Sequence, residues 1–136
     1  MPALTVSHLG GDRFAVQVRD HVVHVDQPSD AGGEDSAPTP LELLLASLAS
    51  CVGHYARRYL ARHGLPEEGL AVRATADMGE RPARLTTIAI SLTVPEGVPA
   101  ERRDALLAVA SACTVHNTLM TPPEVSITLA RALTPS

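Results

Sequence analysis

The sequence predicts one α+β domain, with antiparallel sheets built around a single long buried helix. Three observations carry this. Valine-rich runs punctuated by Gly and Asp precede residue 28, and two alternating apolar runs follow residue 70. Between them stands TPLELLLASLASCVGHYARRYLARHG, a helix with both ends specified by its residues. At 136 residues the chain is long enough for one core and too short to expect two, so residues 1–136 are read as one domain.

In chain order, residues 3–27 carry turns at Gly10-Gly11-Asp12 and Arg19-Asp20, which predicts a three-stranded meander. Residues 27–38, QPSDAGGEDSAP, have loop composition. The helix then runs from Thr39 to Gly64: Thr39 is the N-cap, Pro40 fits the first position, Glu42 completes a capping box, and Gly64 with Pro66 supplies the stop. Residues 43–53 are uncharged, with apolar or small side chains on every face, so this half is expected to be buried all round. Residues 70–77 and 85–94 alternate as a hairpin across Met78 to Pro82, with Ile88, Ile90, Leu92 and Val94 on one face. Pro99 opens a second helix running towards Cys113, with Glu101 in its first turn and Leu106, Leu107, Val109 and Ala110 as its apolar side. Val125, Ile127 and Leu129 predict a last strand, before a Pro-containing tail expected to fray.

So much helix burial is difficult for one small chain to supply, and a partner chain would complete it. Ala46, Ala49, Ser50 and Gly53 share a side that admits a second helix closely, although plain core packing explains small residues equally well.

Composition narrows the function classes. A net charge of −4 without lysine leaves no basic stripe, and one Phe with no Trp leaves no stacking platform, so nucleic acid is not the expected partner. The uncharged run is well short of the roughly 18 residues a bilayer requires, which argues against a membrane helix. The N-terminus lacks a basic start followed by an apolar run, so a cytoplasmic location is expected. In that reducing compartment the two cysteines are thiols, metal ligands or a catalytic pair.

Leu44, Ser47, Leu48, His54 and Tyr55 share the helix side of Cys51. Apolar neighbours alone leave a thiol inert, so a reactive Cys51 needs a cation from elsewhere: Arg13, with Arg19 in reserve. Otherwise Cys51 is a small hydrophobe and both arginines are solvated. Cys113 stands where the second helix gives way to TVHNTLM, and amides of a new turn from Thr114 to Asn117 would stabilise a thiolate there. Two such thiols can act as attacking and resolving groups. Histidine offers a rival reading, since Cys51 with His54 and Cys113 with His116 are both C-x-x-H and four such ligands make a tetrahedral zinc set. Glu42 is either an acceptor for an active-site arginine or simply the capping residue.

The stretch from Gly32-Gly33 through Thr39-Pro40-Leu41-Glu42-Leu43-Leu44-Leu45 to Ala49-Ser50-Cys51, with Ala112-Cys113-Thr114-Val115-His116-Asn117-Thr118-Leu119, closely resembles the OsmC/Ohr family of osmotically induced and organic hydroperoxide resistance proteins. The resemblance covers nearly the whole chain. It implies an OsmC-like fold in which two subunits intertwine as a homodimer, with active sites at the interface. It also implies thiol-dependent reduction of hydroperoxides, with Cys51 matching the peroxidatic and Cys113 the resolving cysteine, and Arg13 the closest positional match to the activating arginine. The substrate pocket would then include Leu44, Leu48, His54, Tyr55 and His116. One departure stands out: the glutamate that orients the arginine in the organic hydroperoxide branch falls on Leu41, and Glu42 is turned about 100° away. This places the chain in the general OsmC-like branch. The resulting expectation is a two-cysteine peroxidase in oxidative stress defence, with no cofactor or metal and a separate dithiol reductant. The alternative is a non-catalytic binding protein holding a small apolar ligand or a metal between subunits.

Overall fold

A computed structural model describes residues 1–131. Three antiparallel strands open the chain, β1 (Thr5–Gly10), β2 (Arg13–Val18) and β3 (His21–Val25), in the order β1-β2-β3. Gly11 supplies the positive φ of 56° at the first turn, and Arg19 adopts φ 50° at the second. The loop after β3 holds a short 3₁₀ turn, Ser29–Ala31, and leads into α1 (Pro40–Arg62). Both arms of the capping box form: the Thr39 hydroxyl accepts from the Glu42 amide at 3.1 Å, and Glu42 Oε1 accepts from the Thr39 amide at 2.9 Å.

After α1, β4 (Ala71–Gly79) and β5 (Arg84–Thr93) pair as the second sheet, opposing Val72 to Leu92, Ala74 to Ile90 and Ala76 to Ile88. The pairing extends beyond the expected strand end because a bulge at Asp77/Met78 carries the register to Gly79. The second helical segment divides. A 3₁₀ turn, Ala100–Arg102, leads into α2 (Arg103–Ser111), which breaks at Ala112 and Cys113 before α3 (Thr114–Met120).

The core forms where α1, α2 and the second sheet meet. Leu48, Val52, Ala56, Tyr59, Leu60, Val98, Leu106, Ala110 and Cys113 are its buried members, with Val72, Ile88, Ile90 and Leu92 packed against them. Burial of α1 is one-sided, contrary to the all-round expectation. Leu48, Val52, Ala56, Tyr59 and Leu60 are enclosed, while Leu41, Leu44, Ala46 and Ser50 face outward, because the second sheet and α2 cover one side only. Gly53 faces inward instead of offering itself to a second helix, since a side chain added there would meet Val72 Cγ2 at 3.4 Å.

The predicted last strand does not form. Val125, Ile127 and Leu129 lie in a stretch without regular structure and are 75%, 93% and fully exposed. A strand requires a ladder partner for its amides and carbonyls, and no neighbour within the chain supplies one among the described residues. The end of the expected tail, residues 132–136, lies outside the described residues. Among the described residues, no helix is long and apolar enough to cross a membrane.

Candidate functional site

Local capping chemistry places the two cysteines. Cys51 lies mid-way along α1, half-buried on the side that meets the core. Cys113 is fully buried and serves as the N-cap of α3, its Sγ accepting the His116 amide at 3.4 Å. Both are free thiols, and Cys51 packs against the buried cluster that contains Cys113, close enough for the two thiols to influence each other. Burial pushes the Cys113 thiol up, the His116 and Val115 amides oppose this, and the neighbouring Cys51 thiol adds to the rise. The His116 and Val115 amides thus favour a Cys113 thiolate as expected, while desolvation and the Cys51 thiol push more strongly the other way.

A second link runs parallel to the thiols. Tyr55, one helical turn after Cys51, hydrogen-bonds through its hydroxyl to Thr114 Oγ1 at 2.7 Å, and Thr114 directly follows Cys113. Beside this lies an apolar groove of about 460 Å³ whose walls include Leu48, Val52, Ile88, Ile90, Leu107 and His116. It borders the cysteines through Leu48 and His116 and does not open onto either sulfur.

The other expected site residues are more dispersed. Leu44 is exposed and outside the groove, and His54 faces outward with its ring edge-on to Tyr55 at 5.7 Å. Glu42 is engaged in the capping box. Arg13 meets Glu34 at 3.8 Å, and neither Arg13 nor Arg19 makes a hydrogen bond or ion pair with Cys51 within the chain. The physical reason is that the meander carries both arginines on a sheet that packs only sparsely against α1. Nor do the two C-x-x-H pairs close into a tetrahedral set, as no group of three or more His, Cys, Asp or Glu side chains converges among the described residues.

Asp26 is a buried loop-organising carboxylate that sequence reasoning missed. Its carboxylate is fully enclosed and accepts from Ser36 Oγ at 2.6 Å, the Ser36 amide at 3.0 Å, the Gln27 amide at 2.7 Å and the Glu34 amide at 3.3 Å. The Ser36 hydroxyl and amide do most to hold its pKa down to about 2, against the burial that would raise it. Gly33 completes this knot, because a side chain there would collide with the Gln27 carbonyl. The readable signal is a carboxylate immediately before a Pro/Gly/Ser loop, where several free amides need an acceptor.

Comparisons with known proteins agree with this architecture. A protein of Psychrobacter arcticus 273-4, assigned to osmotic stress induction and the detoxification response, superposes with a TM-score of 0.79 at 22% identity over 87% of this chain and 88% of its own. An OsmC-like protein from Mycoplasma pneumoniae gives 0.75 at 19% identity, covering 88% and 87% respectively. An organic hydroperoxide resistance protein OsmC from Legionella pneumophila gives 0.62 at 20% identity, covering 88% and 90%. Among curated proteins no sequence matches. The family model for OsmC-like proteins matches residues 33–128, which contain both thiols and the groove, and the chain belongs to the OsmC-like protein family.

Proposed function

We propose that this protein is a thiol-dependent peroxidase that reduces organic hydroperoxides, and hydrogen peroxide less readily, through a Cys51/Cys113 disulfide cycle. The observation that carries the reading is the pairing of the two thiols, distant in sequence, beside an apolar groove. The Cys51 thiolate attacks the distal peroxide oxygen. The O–O bond breaks, the alkoxide takes a proton and leaves as alcohol, and Cys51 becomes a sulfenic acid. Cys113 then attacks the Cys51 sulfur, and the departing hydroxide takes the Cys113 proton and leaves as water. A dithiol reductant reopens the disulfide by exchange. Burial keeps the Cys113 thiol protonated until it attacks, and it becomes nucleophilic only as the departing hydroxide draws that proton away.

The activating cation in this reading is Arg13, with Arg19 in reserve, delivered to Cys51 by the partner in an intertwined homodimer. Support comes from the one-sided burial of α1 and from the exposed Val125, Ile127 and Leu129. A reducing compartment such as the cytoplasm suits a cycle that begins from free thiols.

Mass spectrometry after one equivalent of cumene hydroperoxide tests the cycle. The chain should lose two hydrogens, and the Cys113→Ser variant should instead gain one oxygen. An unchanged mass in both sinks the reading. Equal consumption of cumene hydroperoxide and hydrogen peroxide would count against the apolar surroundings of the thiols as a source of preference for alkyl peroxides. The groove also favours a second reading, a binding protein for a small apolar ligand, which an inert thiol pair together with saturable ligand binding would support.

A further inference from the structure

We propose that Tyr55 and Thr114 are positioning residues for the disulfide step, their hydrogen bond holding the start of α3 so that Cys113 stays against Cys51. This rests on the two-thiol reading above. Three observations converge on it. The Tyr55–Thr114 bond spans the same gap between α1 and α3 as the thiols do, one residue from Cys113 and one helical turn from Cys51. α3 fully buries no side chain of its own beyond its N-cap cysteine, and in its first turn only Val115 packs against the core, and that only in part. The remaining side-chain bonds of α3 are internal to it or to the two residues before it: Thr118 Oγ1 donates to the Thr114 carbonyl at 2.8 Å, and Asn117 Nδ2 to the Ala112 carbonyl at 3.2 Å. Tyr55 Oη to Thr114 Oγ1 is thus the one side-chain hydrogen bond among the described residues that ties α3 to α1.

The consequence is an effective-concentration effect. Two thiols close a disulfide more favourably the less freedom must be lost to bring them together, and a link held beside them removes part of that freedom in advance. The bond is partly open to water, so its net worth is modest and its loss should weaken disulfide closure about threefold to fivefold.

Equilibration of the reduced protein with glutathione and glutathione disulfide tests this without using peroxide. Each closure oxidises Cys51 and Cys113 to one disulfide and reduces one glutathione disulfide to two glutathiones, and alkylation with mass spectrometry reads the ratio. Tyr55→Phe and Thr114→Val should each lower the closure constant about threefold to fivefold. The double variant should fall no further than either single one, and Thr114→Ser should keep the wild-type value. Wild-type closure in Tyr55→Phe, additive losses in the double variant, or no Cys51–Cys113 disulfide in the wild type would overturn the proposal. Should Thr114→Val fail to fold, Tyr55→Phe decides alone. Hydroperoxide consumption is assayed separately on the same preparations: a wild type that equilibrates with glutathione but consumes no peroxide defeats the peroxidase reading and leaves this one standing.

Discussion

The part of the chain that carries the thiols and the part that carries Arg13 and Arg19 are finished to different degrees. From Leu48 to Met120 the structure builds its own core, encloses Cys113 and brings Cys51 to it. The meander β1–β3 and the stretch 121–131 leave Val22, Val23, Ile127 and Leu129 in the open and hold Arg13 on a sheet with sparse packing elsewhere. The difference teaches where the site is complete in one subunit. The two thiols are brought together within a single chain, whereas the cation of the proposed mechanism would come from whatever covers the open regions.

Damage to the finished half should have the largest effect. Leu60 is fully enclosed between α1 and the rest of the core, and Leu60→Ala should cost about 2–5 kcal/mol of unfolding free energy through lost transfer and a residual cavity. Chemical denaturation measures it, and a cost below about 1 kcal/mol would mean that the core is looser than its burial indicates.

The open half answers to association. In an isolated chain Ile127→Asp is harmless, because the side chain is 93% exposed. If a second copy covers it, the variant forfeits about 1.5–3 kcal/mol of apolar burial and adds an unpaired carboxylate, which weakens dimerisation on the order of a hundredfold. Sedimentation across a dilution series reads this directly. An unchanged dissociation constant would place Ile127 outside the interface and remove one support for the intertwined homodimer.

Legibility in the sequence follows the same division. The ends of α1 were readable because Thr39, Pro40 and Glu42 act on their immediate neighbours, and the face Ile88-Ile90-Leu92 because strand alternation is local. The cysteine pair was readable as candidates, whereas its protonation was not: helix-start amides are visible in a sequence, but the burial that outweighs them is a tertiary property. Val125, Ile127 and Leu129 show the converse case. Their alternation is a strand signal, yet a strand exists only with a partner, and alternation does not say which chain provides it. Asp26 escaped notice because a lone carboxylate at a loop edge resembles solvated surface until Ser36 and the Gln27 and Glu34 amides fold around it.

That knot joins the two halves and should register in acid. The Asp26 carboxyl is depressed to about 2 from 3.8, so the stability it contributes is fully present above pH 3.8 and is lost as pH falls through about 2. Limited pepsin digestion of the loop should therefore stay slow near pH 4 and accelerate towards pH 2. Asp26→Asn should abolish that pH dependence and leave the loop susceptible throughout. A wild-type loop already open at pH 4 would show that Asp26 does not hold it.

The smallest expected effect falls back within the finished half and runs in the opposite direction. Tyr59 is buried in α1 with its ring 4.3 Å from that of His63, yet its hydroxyl has no hydrogen-bond partner among the described residues. An enclosed hydroxyl without a partner has lost its water and gained nothing in return, so Tyr59→Phe should stabilise the fold by up to about 1 kcal/mol. The ring packing is preserved, which separates this change from a cavity effect. Destabilisation by the same amount would reveal that the hydroxyl is bonded in solution, through a water or a second copy, and would move this end of α1 from the finished half of the molecule to the open one.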